Sequence, residues 1–211
     1  MRHTLPTPAT WLDDLDGYTR WMTASEYPHS TRYLRGYHMR RFAHHTGLTP
    51  TEVSLEDLTD FLSAREWKRA TRNSYRSTLK SFFNWTSLTG RTDDNPTLYL
   101  PRIRTDLGTP RPFPEELLRP LLAVAPERER LMIRLGAEAG MRSCEICLVN
   151  ESDIVGPHER PSIIAHGKGD KDRRIPIPPS LAHLIRGRAN TNPGGWAFEG
   201  KINGHLSNKR V

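Results

Sequence analysis

Arg142 follows Gly140-Met141 and stands three residues before Glu145. A glycine there lets the chain turn sharply from one helix into the next, so the guanidinium projects from a helix start and not from a solvated face. A carboxylate one turn later can hydrogen-bond that guanidinium and fix its fork. A fixed arginine at a helix N-terminus is suited to a phosphate. Further on, Gly167-Lys168-Gly169-Asp170-Lys171-Asp172-Arg173-Arg174 sets Lys168 between two glycines. An ammonium on such a turn can reach a base edge or a phosphate, or donate a proton to a leaving oxygen. The plain alternative is a solvated turn carrying ordinary surface charges. Gly-x-Arg-x-x-Glu alone is a common spacing, and what gives it weight is the hairpin that follows it.

Two cysteines, Cys144 and Cys147, share this region in a Cys-x-x-Cys spacing. Zinc would want four ligands, and no second cysteine pair completes a set. His158 and His166 are not spaced as a metal pair, and a redox motif would want a βαβ context. The expectation is two small apolar residues in a buried helix, with no metal and no cofactor.

These groups need elements to position them. Trp11, Leu15, Tyr18 and Met22 fall at steps of four, three and four, which predicts a helix over about 10–24. Pro28 ends that pattern, and Ser30 is expected to cap a second helix running to about His45 and closed by Gly47. Ser54 with Asp57 three residues on reads as an N-terminal capping pair for a third helix to about Arg65, burying Leu55, Leu58, Phe61 and Leu62. A fourth, about Thr71 to Leu88, has the apolar stripe Tyr75, Leu79, Phe82 and Phe83. Beside it runs Arg69, Arg72, Arg76 and Lys80, a cationic ridge suited to a phosphate backbone. A solvated face would more often mix signs.

From Thr92 to Pro114 the prolines are too dense for a helix interior, and Arg102, Arg104 and Arg111 keep the stretch basic. It reads as an extended linker that itself tracks phosphates. The domains expected are 1–105, a linker over 106–113, and 114–211. The second part should open with a helix after Pro114 whose Leu117, Leu118, Leu121 and Leu122 form its buried face, then a helix over about 127–139 ending at Gly140. A short helix through Glu145 to Val149 follows. Ser162 to His166 and Arg174 to Ile177 then make a β-hairpin, and Ser180 to Arg188 another helix. Trp196-Ala197-Phe198 reads as a short strand, and Ser207 as the cap of a helix that begins just before Val211.

The 211 residues carry a formal charge of +7, with 36% hydrophobic and 26% charged residues. Residues 1–110 have 15 basic and 12 acidic residues, a net +3; residues 111–211 have 16 and 12, a net +4. The positive charge is thus built into both parts, which suits a polyanion, nucleic acid being the usual one. No apolar run approaches the roughly 20 residues of a membrane span. The start has no apolar signal core and carries Asp13, Asp14 and Asp16, so the chain is expected in the cytoplasm with no membrane partner.

Gly140-Met141-Arg142-Ser143-Cys144-Glu145-Ile146-Cys147-Leu148, then Asp153-Ile154, then His166-Gly167-Lys168-Gly169-Asp170-Lys171-Asp172-Arg173-Arg174-Ile175-Pro176-Ile177, closely resembles the first catalytic box and β-hairpin of the tyrosine recombinases, the phage integrase family. The front four helices are similar to that family's core-binding domain. The resemblance implies a mainly α chain: a four-helix SAM-like DNA-binding domain, then the N-terminal part of an α+β catalytic domain. It implies Arg142 as the first catalytic arginine, Glu145 as its support and Lys168 as the general acid for the departing 5′-oxygen. Lys171 and Arg173 join Arg69, Arg72, Arg76, Lys80, Arg102 and Arg104 as DNA-contacting residues. The family's chemistry is metal-free: a tyrosine attacks the backbone phosphate and the 3′-phosphotyrosyl link is later resolved by a 5′-hydroxyl. The partners implied are double-stranded DNA bearing a recombination or attachment site, and other recombinase subunits.

The family's later His-x-x-Arg box and tyrosine are not found. All six tyrosines, Tyr18, Tyr27, Tyr33, Tyr37, Tyr75 and Tyr99, lie in the front part or linker. His183 with Arg186 matches the box by spacing but lies in the helix directly after the hairpin, too early for it. The catalytic domain is therefore expected to be truncated at its C-terminal end, and the chain to bind DNA without cleaving it. A truncated regulator of recombination and a transcription factor with a chance hairpin motif are the alternatives.

Overall fold

A helix that repeats an apolar residue every three or four positions has to bury that stripe against something. In the front part of the chain four such stripes meet on one another. The computed structural model describes residues 5–104, 109, 112–167 and 171–207, and the chain divides into two compact units, Met1–Thr109 and Pro110–Val211.

In the first unit a 3-10 turn, Ala9–Trp11, leads into α1 (Leu12–Ala24), followed by α2 (His29–Thr46), α3 (Leu55–Ser63) and α4 (Arg69–Leu88). The expected stripe of Trp11, Leu15, Tyr18 and Met22 is buried, as are Tyr75, Leu79, Phe82 and Phe83 of α4. Phe42 of α2 is the hub, edge-on to Trp11 at 5.9 Å, to Phe61 at 5.1 Å and to Phe83 at 6.3 Å between ring centres. Such pairs add specific geometry to the area they bury. The Trp11 indole N–H donates to the Leu48 carbonyl at 2.8 Å, so the largest core side chain also satisfies its polar atom.

Local signals set the helix ends. Ser54 and Asp57 form the capping box: Ser54 N–H donates to Asp57 Oδ2 at 2.9 Å, and Asp57 N–H to Ser54 Oγ at 3.3 Å. Two expectations are corrected here. Ser30 does not cap α2; Pro28 holds the N-cap position, and its carbonyl accepts from Thr31 and Arg32 at 2.9 and 3.1 Å. Leu55, at the first position of α3, stays 37% exposed because its helix face only turns inward at Leu58.

The second unit holds α5 (Glu115–Val124), α6 (Glu127–Ala139), α7 (Ser143–Ile146), β1 (Ile154–Val155), β2 (Ser162–Ala165), β3 (Arg173–Pro176), α8 (Pro179–Ala189) and β4 (Glu199–Ile202). The predicted hairpin is present and gains a third strand, giving the antiparallel order β1-β2-β3 with Ile163 opposite both Ile154 and Ile175. Leu131 and Leu135 of α6, Ile163 of β2, Leu181 and Ile185 of α8, and Phe198 close one core.

Three further expectations fail in this unit. No residue of α5 is buried: Leu117 and Leu121 are exposed, and Leu118 and Leu122 only half-buried, because the described residues cover that face only in part. Trp196 to Phe198 is not a strand. Trp196 makes a single bridge to Asn150 and Ala197 N–H donates to the Val149 carbonyl, whereas strand pairing starts at Glu199 and turns back through Asn203 and Gly204, both with positive φ. Of the two cysteines, Cys147 is buried and Cys144 is exposed, since α7 is one short turn with a solvent side. The helix expected after Ser207 lies outside the described residues, as does most of the predicted linker.

His38 of α2 gives the first unit a titratable core. Its ring is 5% exposed, stacks on Tyr75 with 3.9 Å between centres, and meets Thr78 Oγ1 at 2.9 Å through Nδ1. Burial pushes its pKa down to about 4. The unfolded chain takes up that proton near the ordinary 6.5 while the folded chain resists, so the contribution is complete above 6.5 and lost as pH falls toward about 4. We expect urea unfolding followed by tryptophan fluorescence to show wild type losing stability across that window faster than His38→Gln. Parallel curves for the two would exclude this role for His38.

Candidate nucleic-acid interface

Gly140 ends α6 in the left-handed region at φ +58°, where a side chain would be strained. Its neighbour Met141 buries itself and donates its N–H to the Leu135 carbonyl at 3.2 Å. Arg142 then lands at the N-cap of α7 with extended backbone, and its carbonyl accepts from Glu145 and Ile146, both at 2.9 Å. Glu145 reaches back: its Oε2 accepts the Arg142 N–H at 2.8 Å and its Oε1 accepts from Arg142 Nη1 at 2.7 Å. The Glu145 side chain is 1% exposed and that of Arg142 67% exposed. The expected pair therefore exists, with its carboxylate inside and its guanidinium facing solvent.

The same carboxylate has a second cation. Arg173, the first residue of β3, donates from Nη2 to Glu145 Oε2 at 2.7 Å. Burial alone would raise the Glu145 pKa, but the Arg142 backbone N–H and the two guanidinium groups outweigh it and hold the carboxyl below its ordinary value.

A little further along the chain lies another clamp of the same design. Asp153 Oδ2 accepts the Asn150 N–H at 2.9 Å, and its Oδ1 faces His166 Nε2 at 2.9 Å. The other ring nitrogen, Nδ1, faces Asp172 Oδ1 at 3.1 Å. A ring with carboxylates on both nitrogens can satisfy both only as the imidazolium, and the bond to Asp153, aided by that to Asp172, raises the His166 pKa.

The other predicted residues are distributed as follows. Arg69, Arg72, Arg76, Lys80, Arg102 and Arg104 belong to the first unit; Arg142, Glu145, Lys171 and Arg173 belong to the second. The structure brings together Arg142, Glu145 and Arg173. Lys171 is exposed on the hairpin, and Lys168 lies outside the described residues. The α4 ridge is more engaged with its own chain than the spacing suggests. Arg76 donates to the carbonyls of Pro101 and Leu100 at 2.5 and 2.9 Å, pinning the segment that carries Arg102 and Arg104. Among the described residues, the Arg72 guanidinium makes a long 3.5 Å contact to the Arg65 carbonyl.

Sequence reasoning missed α2. It carries Arg32, Arg35, Arg40 and Arg41 without an acidic residue, as α4 carries its ridge without one, while α1 holds Asp13, Asp14 and Asp16 and α3 holds Glu56, Asp57 and Asp60. The signal is a whole helix of one sign, which a search for a single stripe passes over. Near the C-terminal end of α2, Arg41, His44, His45 and Arg65 line a cavity of about 350 Å³ with Phe61. Among the described residues no cluster could hold a metal ion, and no helix is long and apolar enough to cross a membrane.

The chain is 30% identical over 199 residues to a tyrosine recombinase of Thermosipho africanus (strain TCF52B), across 85% of this chain and 69% of that protein. It is 30% identical over 166 residues to tyrosine recombinase XerA of Thermococcus onnurineus (strain NA1), across 77% of this chain and 56% of that one. The chain thus spans little more than half the length of the second relative. Among solved structures, a lambda integrase dimer bound to a COC′ core site superposes with a TM-score of 0.71 at 18% identity, covering 94% of this chain and 74% of that one. That likeness establishes the two-part helical fold with its small sheet. No family model matches the chain. On the strength of the Thermosipho relative, this chain belongs to the tyrosine recombinases.

Replacing Glu145 with Gln keeps the shape but removes the charge that both guanidinium groups compensate. We expect the second unit to lose about 1–3 kcal/mol of stability at neutral pH. Because the Glu145 carboxyl is held below its ordinary 4.5, that difference should be present above about pH 4.5 and shrink on acidification. Circular dichroism melts of the two proteins over that range check it, and a difference that grows at acid pH would contradict the clamp.

Proposed function

We propose that the chain serves site-specific DNA recombination, with the first unit holding duplex DNA and the second presenting Arg142 to a backbone phosphate. The observation that carries this is the Arg142–Glu145 arrangement. A carboxylate almost wholly out of water fixes one edge of a guanidinium whose remaining donors face solvent. Such a preorganised cation stabilises charge as it builds on phosphate oxygens, with little reorganisation left at the moment of reaction. Lys168 is the proposed donor to the departing 5′-oxygen, and Lys171, Arg102 and Arg104 are proposed backbone contacts. The acid-free helices α2 and α4 supply the positive surface for the duplex, with Arg69, Arg72 and Lys80 proposed as phosphate contacts and Arg76 as both contact and tether. Other recombinase subunits are the proposed protein partners, and the cytoplasm the proposed location.

No tyrosine occurs between residues 100 and 211. For these 211 residues taken alone, the second reading is that they occupy recombination sites and regulate intact subunits without breaking strands.

Selection of bound duplexes from a randomised library is the test of site recognition. We expect an enriched sequence shared by most bound molecules; no enrichment would remove recombination sites as the target. A nicked suicide substrate built on that sequence should trap no covalent protein–DNA adduct with the 211-residue chain. An adduct would show a nucleophile we have not assigned. On a random-sequence duplex, Arg72→Ala with Lys80→Ala should lower the log–log salt slope by about 0.9 for each phosphate that is no longer neutralised. Arg76 is left intact in that variant because it also holds the Leu100 and Pro101 carbonyls. An unchanged slope would remove Arg72 and Lys80 as phosphate contacts.

A further inference from the structure

The β2–β3 hairpin is held by apolar burial on β2 and at Ile177, and much less along β3 itself. On β2, Ser162, Ile163 and Ala165 are buried, but on β3 Arg173, Arg174 and Pro176 are exposed and Ile175 is only half-buried. β3 is also an edge strand of the sheet. A narrow strip of packing on one strand leaves the other free to fray.

Polar contacts add a fastening at each stem. At the end of β2, His166 meets the buried Asp153 at 2.9 Å; at the start of β3, Arg173 meets the buried Glu145 at 2.7 Å. Each carboxylate is an N-terminal capping acid, with one oxygen on a backbone N–H of its own turn, so neither can follow the hairpin if the hairpin moves. Gly167 tightens the mouth. A Cβ there would stand 2.5 Å from the Lys171 carbonyl oxygen, so the two stems approach more closely than any side chain at 167 permits.

We propose that Arg173 and His166 are positioning residues, fastening the two stems of the β2–β3 hairpin to the capping carboxylates of Glu145 and Asp153. Arg173 also shares Glu145 with Arg142, so the hairpin stem and the solvent-facing guanidinium are set by one carboxylate. Displacing the stem removes one of the two cations that hold Glu145 charged, and so loosens the Arg142 fork. The fastening stands on the geometry alone; its purpose, to fix the hairpin stems and Arg142 together against a DNA phosphate, rests on the recombinase reading.

Amide hydrogen exchange on the whole chain tests the fastening, read on peptides covering 162–177 with peptides of α6 and α8 as the internal reference. Arg173→Met should speed exchange in the hairpin about tenfold and leave α6 and α8 unmoved. Arg173→Lys, which keeps a cation, should restore most of the protection, and His166→Gln should loosen the same peptides. Unchanged hairpin exchange in both Arg173→Met and His166→Gln overturns the proposal, as does an equal rise in α6 and α8, which would mean general destabilisation. In a second arm, binding to a random-sequence duplex at low salt should weaken severalfold in Arg173→Met and recover in Arg173→Lys. Wild type that fails to bind overturns the DNA reading while exchange still decides the fastening. A loosened hairpin with undiminished binding would overturn the positioning role.

Discussion

A carboxylate taken out of water must be met by donors that do not move, or it gives up its charge. Glu145 is that constraint in the second unit. Three donors from two places in the chain converge on it: the Arg142 N–H, the Arg142 guanidinium and the Arg173 guanidinium. The turn at Gly140 exists in the form needed to bring the first two, and the register of β3 brings the third. Asp153 repeats the solution with Asn150 and His166, in the turn that leads into β1. The short helix, the turn and the sheet are therefore tied into one body by two buried charges and not by apolar packing alone. That body is also what distinguishes the site from a surface arginine: a solvated ion pair is worth little, whereas an anchor of this kind fixes direction.

Much of this is legible from residues close together in sequence. The capping pair at Ser54 and Asp57, the helical stripes of α1 and α4, the hairpin and the Arg142–Glu145 pair all depend on neighbours within a turn or two, where spacing dictates contact. The Arg173–Glu145 contact spans 28 residues, and His166–Asp153 spans 13. Both need the hairpin to be placed on the core first, so spacing alone assigns Arg173 only to DNA. Helix α5 fails for a related reason. An amphipathic pattern tells which face is apolar but not what covers it, and Leu117 and Leu121 remain in solvent. The run Trp196 to Phe198 misleads because an apolar triplet looks like a strand. Its backbone is tied singly to Asn150 and Val149, while the real pairing waits for the turn at Asn203 and Gly204.

In the first unit the division of labour differs. Its core is aromatic and its shape comes from ring packing around Phe42, which leaves the polar faces of the helices free to vary. Arg76 shows how such a face can serve two ends. Its guanidinium secures the carbonyls of Leu100 and Pro101, and in doing so fixes the start of the basic stretch that leaves the unit. Arg91 does the same on the acidic side, bridging Asp13 and Asp14 at 2.7 Å and joining the loop after α4 to the start of α1.

The sorting of charge by helix has a kinetic consequence. With α2 and α4 free of acids and three acids on each of α1 and α3, the charge of the unit is sorted by helix, and Arg91 answers two of the acids on α1. The field of any polyanion would therefore act first on α2 and α4, drawing them before a contact forms. Salt would screen that pull at distances beyond about 10 Å, leaving short-range contacts in place.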